Sequence, residues 1–417
     1  MYQSDTSRVS IPWSNPRFWS RAWRAVAPNV WYLGLTSLLT DISSEMIVSV
    51  LPMYLVLELN VSPLAFGAID GLYNGVTALV RWVSGVAGDR WRRHKEIAAV
   101  GYAVSAACRL GLLAAGPSLS ALAAVMTSDR VGKGIRTAPR DALISLSTPD
   151  RGLAHAFGVH RALDAAGAML GPLASVALLA AIPRGFDVVF VVSFSIAAVG
   201  VGVLVLFVKN VIPPDAVDDH ERRSWRVSLG VLRHRDFRFA TLVAAGLALV
   251  TISDAFVYLT LREKATTPAS LFPLFYVGTS AVYLLLAIPA GLLADHLGRA
   301  KMFLLGHVTL LALYVLLFTN VSSVVLALAL LGAYYAMTDG VVAALASGTL
   351  PAAMRGSGLA LLTTATSLSR FVASIAFGWL WLTASRGTAI AVFGAALAVA
   401  LGAAIFAFRS MRMSTNE

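Results

Sequence analysis

Asp41 and Glu45 stand four residues apart, one helical turn, inside a stretch that is otherwise apolar or small. Two carboxylates so placed repel each other and suit proton exchange. Arg130 and Asp164 lie about ten residues inside two further apolar stretches, which at a rise of about 1.5 Å per residue puts all three of Asp41, Arg130 and Asp164 near the middle of a membrane. An unpaired arginine at that depth costs several kcal/mol, so Arg130 is expected to contact Asp41 or Asp164. Glu45 has a competing structural role as partner of Arg109. The second half of the chain offers Asp254, Tyr334, Tyr335, Asp339 and Arg370, with the tyrosines able to stack on or hydrogen-bond a substrate. Asp339 serves equally as a gate residue. Asp70, Asn74, Arg81, His160 and Arg161 complete the buried polar set; one histidine makes no metal cluster, and no cofactor is implied.

These residues are carried by apolar runs. Of 417 residues 58% are hydrophobic and 13% charged, with mean hydropathy +0.75, which excludes large soluble domains and reads as a polytopic membrane protein. Twelve spans are expected, at 30–57, 64–87, 97–115, 119–138, 155–181, 187–208, 238–261, 271–293, 301–319, 322–346, 357–383 and 388–409. The single Cys108 excludes an intrachain disulfide or a cysteine-rich metal site, and Gly132-Lys133-Gly134-Ile135 lacks the phosphate-cradling loop. With no nucleophile motif in the spans either, an enzyme is disfavoured. The net charge of +11 has a topological meaning. With both termini cytoplasmic, 24 Lys/Arg fall on the inside loops and adjoining helix turns, against four outside: Arg184, Arg262, Lys264 and Arg386. Nucleic-acid binding is not expected.

Residues 1–29 interleave Arg8, Arg17, Arg21 and Arg24 with Trp13, Phe18, Trp19 and Trp23, as an interfacial anchor would. The six-span halves, 30–208 and 238–409, flank a polar linker at 209–237 containing Pro213-Pro214, and a tail follows at 410–417. The halves repeat. Gly85-Val-Ala-Gly-Asp89-Arg90-Trp-Arg92-Arg93 and Gly291-Leu-Leu-Ala-Asp295-His-Leu-Gly298-Arg299 are 206 residues apart, and Arg151-Gly152 and Arg355-Gly356 are 204 apart. Repeats with an even number of spans are parallel, related by an axis along the membrane normal. The fold class expected is an all-α membrane protein of twelve transmembrane helices in two pseudo-symmetric six-helix bundles.

The loop motifs resemble the major facilitator superfamily signature G-x-L-A-D-R-x-G-R-[KR]; the second copy follows it closely and the first departs at Ala87, Gly88 and Arg92. The resemblance implies that Asp89, Arg90, Arg93, Asp295 and Arg299 are gating residues, aspartates set against a helix N-terminus and nearby arginines. Arg130-Val-Gly-Lys133-Gly134-Ile-Arg136-Thr-Ala138 resembles a span 4 pattern of the family, with Lys133 and Arg136 replacing a glutamine and a glycine. Gly158, Gly167, Gly171 and Pro172 fall in register with the antiporter signature G-x8-G-x3-G-P-x2-G-G, and Ser175-Val176 replace its last glycines. That signature implies a hinge packed against a neighbouring helix of the other bundle. The run from Asp129 to Leu143 resembles a bacterial branch whose members are mostly uncharacterised, which gives no substrate.

Together these features lead to the expectation of a secondary active transporter, most simply a proton-coupled exporter of a small amphipathic drug or metabolite. The alternative is proton-coupled uptake of an organic anion attracted by Arg130, Arg161 and Arg370. A membrane-embedded enzyme and a non-transporting sensor are the remote alternatives. The partners implied are a small-molecule substrate, protons and the lipid bilayer, in a bacterial inner membrane, with no obligate protein partner.

Overall fold

A backbone in hydrocarbon has no water to bond, so each long apolar run must close its own hydrogen-bond ladder. The computed structural model describes residues 27–72, 80, 93–148, 153–211, 231–319, 323–347, 349–350 and 355–414, and among them is helical with no strand. In chain order the helices are α1 (Pro28–Met53), α2 (Pro63–Leu72), α3 (His94–Ala115), α4 (Leu119–Leu146), α5 (Leu153–Ala181), α6 (Phe186–Phe207), α7a (Arg235–Ala248), α7b (Asp254–Ala265), α8 (Leu274–Leu297), α9 (Arg299–Phe318), α10 (Val324–Ser347), α11 (Arg355–Thr383) and α12 (Arg386–Ser414). Nine stretches among the described residues are long and apolar enough to cross a membrane. Asn74, Arg81, Asp89, Arg90, the anchor residues before 27 and most of the linker lie outside the described residues.

Three expected boundaries are corrected. Helix α4 runs to Leu146, not 138, so Arg140 lies inside it and Lys133 and Arg136 are no longer in its last turns; the inside count becomes 21 against four. Span 7 is two helices. The β-branched run Val250-Thr251-Ile252 is stiff at χ1 and poor in a helix, Ser253-Asp254 suits a helix start, and the Thr251 hydroxyl donates to the Leu247 carbonyl at 2.9 Å. The exposed backbone is satisfied by Tyr314 of α9, which accepts from Ile252 N–H (2.6 Å) and donates to the Val250 carbonyl (3.2 Å). Helix α12 continues past 409 to Ser414.

The two bundles repeat each other's packing. Helix α1 packs on α5 and α6, and α3 on α4 and α6; likewise span 7 packs on α11 and α12, and α9 on α10 and α12. Between bundles, α2 meets α11 backbone to backbone. A methyl group added at Gly67 or Gly378 would overlap the Ser374 or Pro63 carbonyl, and one at Gly71 would lie 2.5 Å from the Phe371 ring. Phe66 packs edge-on to Phe256 of α7b at 4.9 Å, and Ser374 donates to Asp70 at 2.8 Å. One apolar core runs through both bundles on this side. Towards the end that carries the termini, the first bundle has its own core of Val30, Leu33, Tyr102, Leu143 and Leu204. Asp339 in α10 is exposed, and the Arg161 side chain in α5 is 66% exposed. Charges exposed within spanning helices mark a water-filled cavity. Their placement points to a water-filled opening on the side of the termini, with the α2–α11 contact closing the opposite side.

In a Cys108→Ser background, Asp70→Cys with Ser374→Cys, at positions whose side chains already meet at 2.8 Å, should form a disulfide under mild oxidation and lose maleimide labelling. Two thiols that stay fully labelled after oxidation would mean that this seal is not populated.

Candidate functional site

Helix α1 presents its carboxylates where α5 comes closest. A Cβ at Gly167 would lie 2.7 Å from the Leu38 carbonyl and 3.0 Å from Asp41 Cβ; one at Gly171 would lie 2.6 Å from the Ile42 carbonyl and 2.7 Å from Glu45 Cβ. The Ser175 hydroxyl donates to the Met46 carbonyl at 3.1 Å. Small residues at this spacing let the backbones touch. The antiporter-signature glycines thus face α1 of the same bundle, which corrects the expected contact with the other bundle. Gly158 lies in the first turns of α5, and Pro172 is buried within that helix.

Opposite them, α4 carries Arg130, Lys133, Arg136 and Arg140, which at 100° per residue fall within an arc of about 120°. The structure places Arg130 against its neighbour Asp129, with Nε at 3.0 Å from Oδ2 and Nη2 closer still. Asp129 also takes Arg109 of α3 (Nη1–Oδ1, 2.5 Å), whose other nitrogens donate to Ser43 (3.3 Å) and Ser44 (2.8 Å) of α1. The expected triad of Arg130 with Asp41 and Asp164 is replaced by this cluster. Depth along a helix does not fix which way a side chain points. Arg109 is likewise Asp129's partner, not Glu45's.

Asp41 instead approaches Arg136 (3.9 Å), which also lies over the Tyr102 ring at 4.6 Å. Arg140 pairs with Asp141 (2.9 Å) and donates to Ser37 (3.3 Å), which also bonds Tyr102 and His160. Asp164 lies 3.5 Å from both His160 and Arg161. Glu45 and Lys133 face each other electrostatically, and among the described residues neither makes a hydrogen bond or an ion pair. Sequence reasoning missed Asp129 and did not read Lys133, Arg136 and Arg140 as one stripe, although cations at i, i+3, i+6 and i+10 are a readable signal.

In the second bundle, Asp254 opens α7b and accepts from the Tyr335 hydroxyl at 2.6 Å. Arg370 of α11 lies over the Tyr335 ring at 6.0 Å and near Asp254 and Asp339. Tyr334 is buried, 5.0 Å from Tyr335 and 5.4 Å from the His307 ring, so it packs while Tyr335 faces the charges. Asp339 lies one turn from Tyr335 on the same helix face. Tyr276 of α8 lies within electrostatic range of Glu45 and Asp70 of the first bundle and of Asp254 of the second. Of the expected gate, Arg93 occupies the N-cap position of α3 without a side-chain capping bond, and Arg299 donates to the Ala344 carbonyl (3.0 Å) near the end of α10, a favourable place for a cation. The backbone of Asp295 lies in the last turn of α8.

The chain matches the family model of the Major Facilitator Superfamily over residues 33–279. An uncharacterized MFS-type transporter of Methanocaldococcus jannaschii is 32% identical over 388 residues, 91% of this chain and 94% of the relative. An uncharacterized protein of Mycobacterium tuberculosis is 24% identical, with 95% of each chain covered. Among solved structures, the nucleoside transporter NupG superposes with a TM-score of 0.73 at 13% identity, covering 91% of this chain and 99% of that one. The POT family transporter PepTSo does so at 0.75 and 12% identity, covering 92% and 98%. At those identities the likeness speaks for the fold alone.

Asp129→Asn leaves Arg109 and Arg130 buried without their carboxylate, and should lower the stability of the detergent-purified protein by about 3–5 kcal/mol in thermal unfolding. Asp164→Asn, beside an exposed partner, should cost far less. Equal melting temperatures for the two variants would contradict the assignment of Asp129 as the structural centre of the bundle.

Proposed function

Because the chain belongs to the major facilitator superfamily, and is a transporter of that family rather than an enzyme, we propose that it moves a small molecule by alternating access coupled to protons, with Glu45 as the coupling carboxylate. The observation that carries this reading is the Glu45–Lys133 arrangement. Glu45 is half-buried, is held by no hydrogen bond or ion pair among the described residues, and stands opposite a lysine that is equally unheld. A carboxylate free of rigid partners can change its protonation without dismantling the fold. Asp129 cannot, since two arginines depend on it.

The cavity that opens towards the termini supports alternating access, and the α2–α11 contact is the seal that must break. The loop asymmetry of 21 to four supports cytoplasmic termini in a bacterial inner membrane, which makes this the inward-facing state. Asp89, Arg90, Arg93, Asp295 and Arg299 are assigned to the opposite gate by their resemblance to the family signature. Export of a drug-like or metabolite substrate drew its support from an inter-bundle hinge at Gly167, Gly171 and Pro172. Those residues pack on α1, so the direction is argued from the charges of the site instead.

Proteoliposomes with an entrapped pH-sensitive dye, screened against small anions, cations and neutral compounds, test the coupling. Wild type should move protons with at least one compound, and Glu45→Gln should lose that proton movement while still exchanging the compound across the membrane. Proton movement by Glu45→Gln equal to that of wild type would remove Glu45 from the mechanism.

A further inference from the structure

Most buried charges of the site already have partners in the protein. Arg130 and Arg109 have Asp129, and Arg140 has Asp141, while the exposed Arg161 has Asp164. On the acidic side, Asp254 holds the Tyr335 hydroxyl and Asp70 the Ser374 hydroxyl. With Arg136 approaching Asp41 at 3.9 Å, two cations of the site are left among the described residues, one in each bundle. Lys133 of α4 and Arg370 of α11 are both half-buried, and neither makes a hydrogen bond or ion pair among the described residues. Each has carboxylates only at electrostatic range: Asp41 and Glu45 for Lys133, and Asp254 and Asp339 for Arg370. Tyr276, within range of both Glu45 and Asp254, ties the two clusters to one space between the bundles. Beside Lys133, Arg136 Nη1 is buried without a hydrogen-bond partner, so that side of the space has further donor capacity.

Carboxylates and guanidinium groups differ in one decisive respect. A buried carboxylate can become neutral by taking a proton, whereas arginine stays charged at every accessible pH. Protonating Glu45 and Asp254 removes one of the two carboxylates in range of each cation and shifts the balance of charge facing the space towards positive, permanently so at Arg370. From this geometry we propose that the transported substrate is a small organic anion, a carboxylate or phosphate compound, held between Lys133 and Arg370 and bound together with the coupling proton. The inference rests on the proton-coupled reading above and adds the substrate class and the sign of coupling. The proton goes to the carboxylate, the carboxylate's pull on the nearby cation is lost, and the cation takes the anion. Proton and anion then cross together, which along an inward proton gradient is uptake. A cationic substrate would require the same carboxylates to be ionised, would compete with the proton, and would be exported.

The groups that set the pH response of Glu45 come from every side. Asp41 faces it from α1, Arg109 from α3, Arg130 and Lys133 from α4 and Tyr276 from α8, while α5 contributes only its backbone at Gly171.

The test is ligand-induced thermal stabilisation of the purified protein with named probes: lactate, benzoate, succinate and glycerol phosphate as anions, choline and tetraethylammonium as cations. At least one anion should raise the melting temperature, with an apparent affinity about tenfold or more tighter at pH 5.5 than at pH 8. Lys133→Gln and Arg370→Gln should each abolish that shift. Glu45→Gln, which imitates the protonated state, should bind the anion at pH 8 as wild type does at pH 5.5, a gain that misfolding cannot produce. Stabilisation by the cations alone, by no anion, or by an anion more strongly at pH 8 overturns the inference. Proton movement in the liposome screen that accompanies only cations would overturn it while leaving the proton-coupled reading standing; no proton movement with any compound would overturn both.

Discussion

A guanidinium inside a bilayer cannot discard its charge, and that constraint organises the first bundle. Helix α4 carries three arginines and a lysine on one face, each costing several kcal/mol unless matched. Asp129 answers two arginines at once, one from its own helix and one from α3, and the serines of α1 satisfy the donors left over. This requires α1 to lie close to α3 and α4 with small polar residues inward. Its other face can then accommodate α5 only where α5 has no side chain, at Gly167 and Gly171. The glycine spacing and the arginine stripe are therefore two sides of one packing problem.

The spans were legible because bilayer thickness dictates the length of an apolar run, and the duplication was legible because both copies keep their loop motifs. Two errors have a common origin. Span 4 reads from hydropathy as ending at 138, with Lys133 and Arg136 in its last turns and Arg140 beyond it, whereas charges on one face of a helix are compatible with the membrane interior when a partner helix meets them. Span 7 reads as unbroken from hydropathy, which does not register Val250-Thr251-Ile252 as a poor helix. The residue types of the site were readable as well: Glu45, Asp254, Tyr335 and Arg370 all sit where the bundles face each other. Their pairings were not. Arg130, Asp41 and Asp164 share a depth, but pairing depends on the angle around each axis, and there the adjacent Asp129 is better placed.

The two bundles share their helix neighbours but not their chemistry. The first concentrates permanent charge and pairs nearly all of it. The second uses tyrosines and hydroxyls, with Tyr335, Thr279 and Ser374 hydrogen-bonded across helices and a single arginine among them. Duplication followed by this divergence leaves, among the described residues of the site, Lys133 in one half and Arg370 in the other without an ion pair, so a ligand gains most by touching both halves. Such a ligand is sensitive to how the halves are tilted, which a substrate of a rocking transporter must be.

Which contacts can change during transport then follows from where each lies. Glu45 and Lys133 belong to one bundle, as do Asp254 and Arg370, so rigid-body rocking does not separate either set; only a proton or a ligand alters their balance. The contacts of Gly67 and Asp70 with Ser374 join the two bundles, and rocking must break them. Arg370 and Ser374 lie one turn apart on α11, so the helix that presents a cation to the cavity also carries the seal. Occupancy at Arg370 and closure at Ser374 thus act on the same rigid element. A differential contact of that kind is what allows binding to bias one tilt of the bundles over the other.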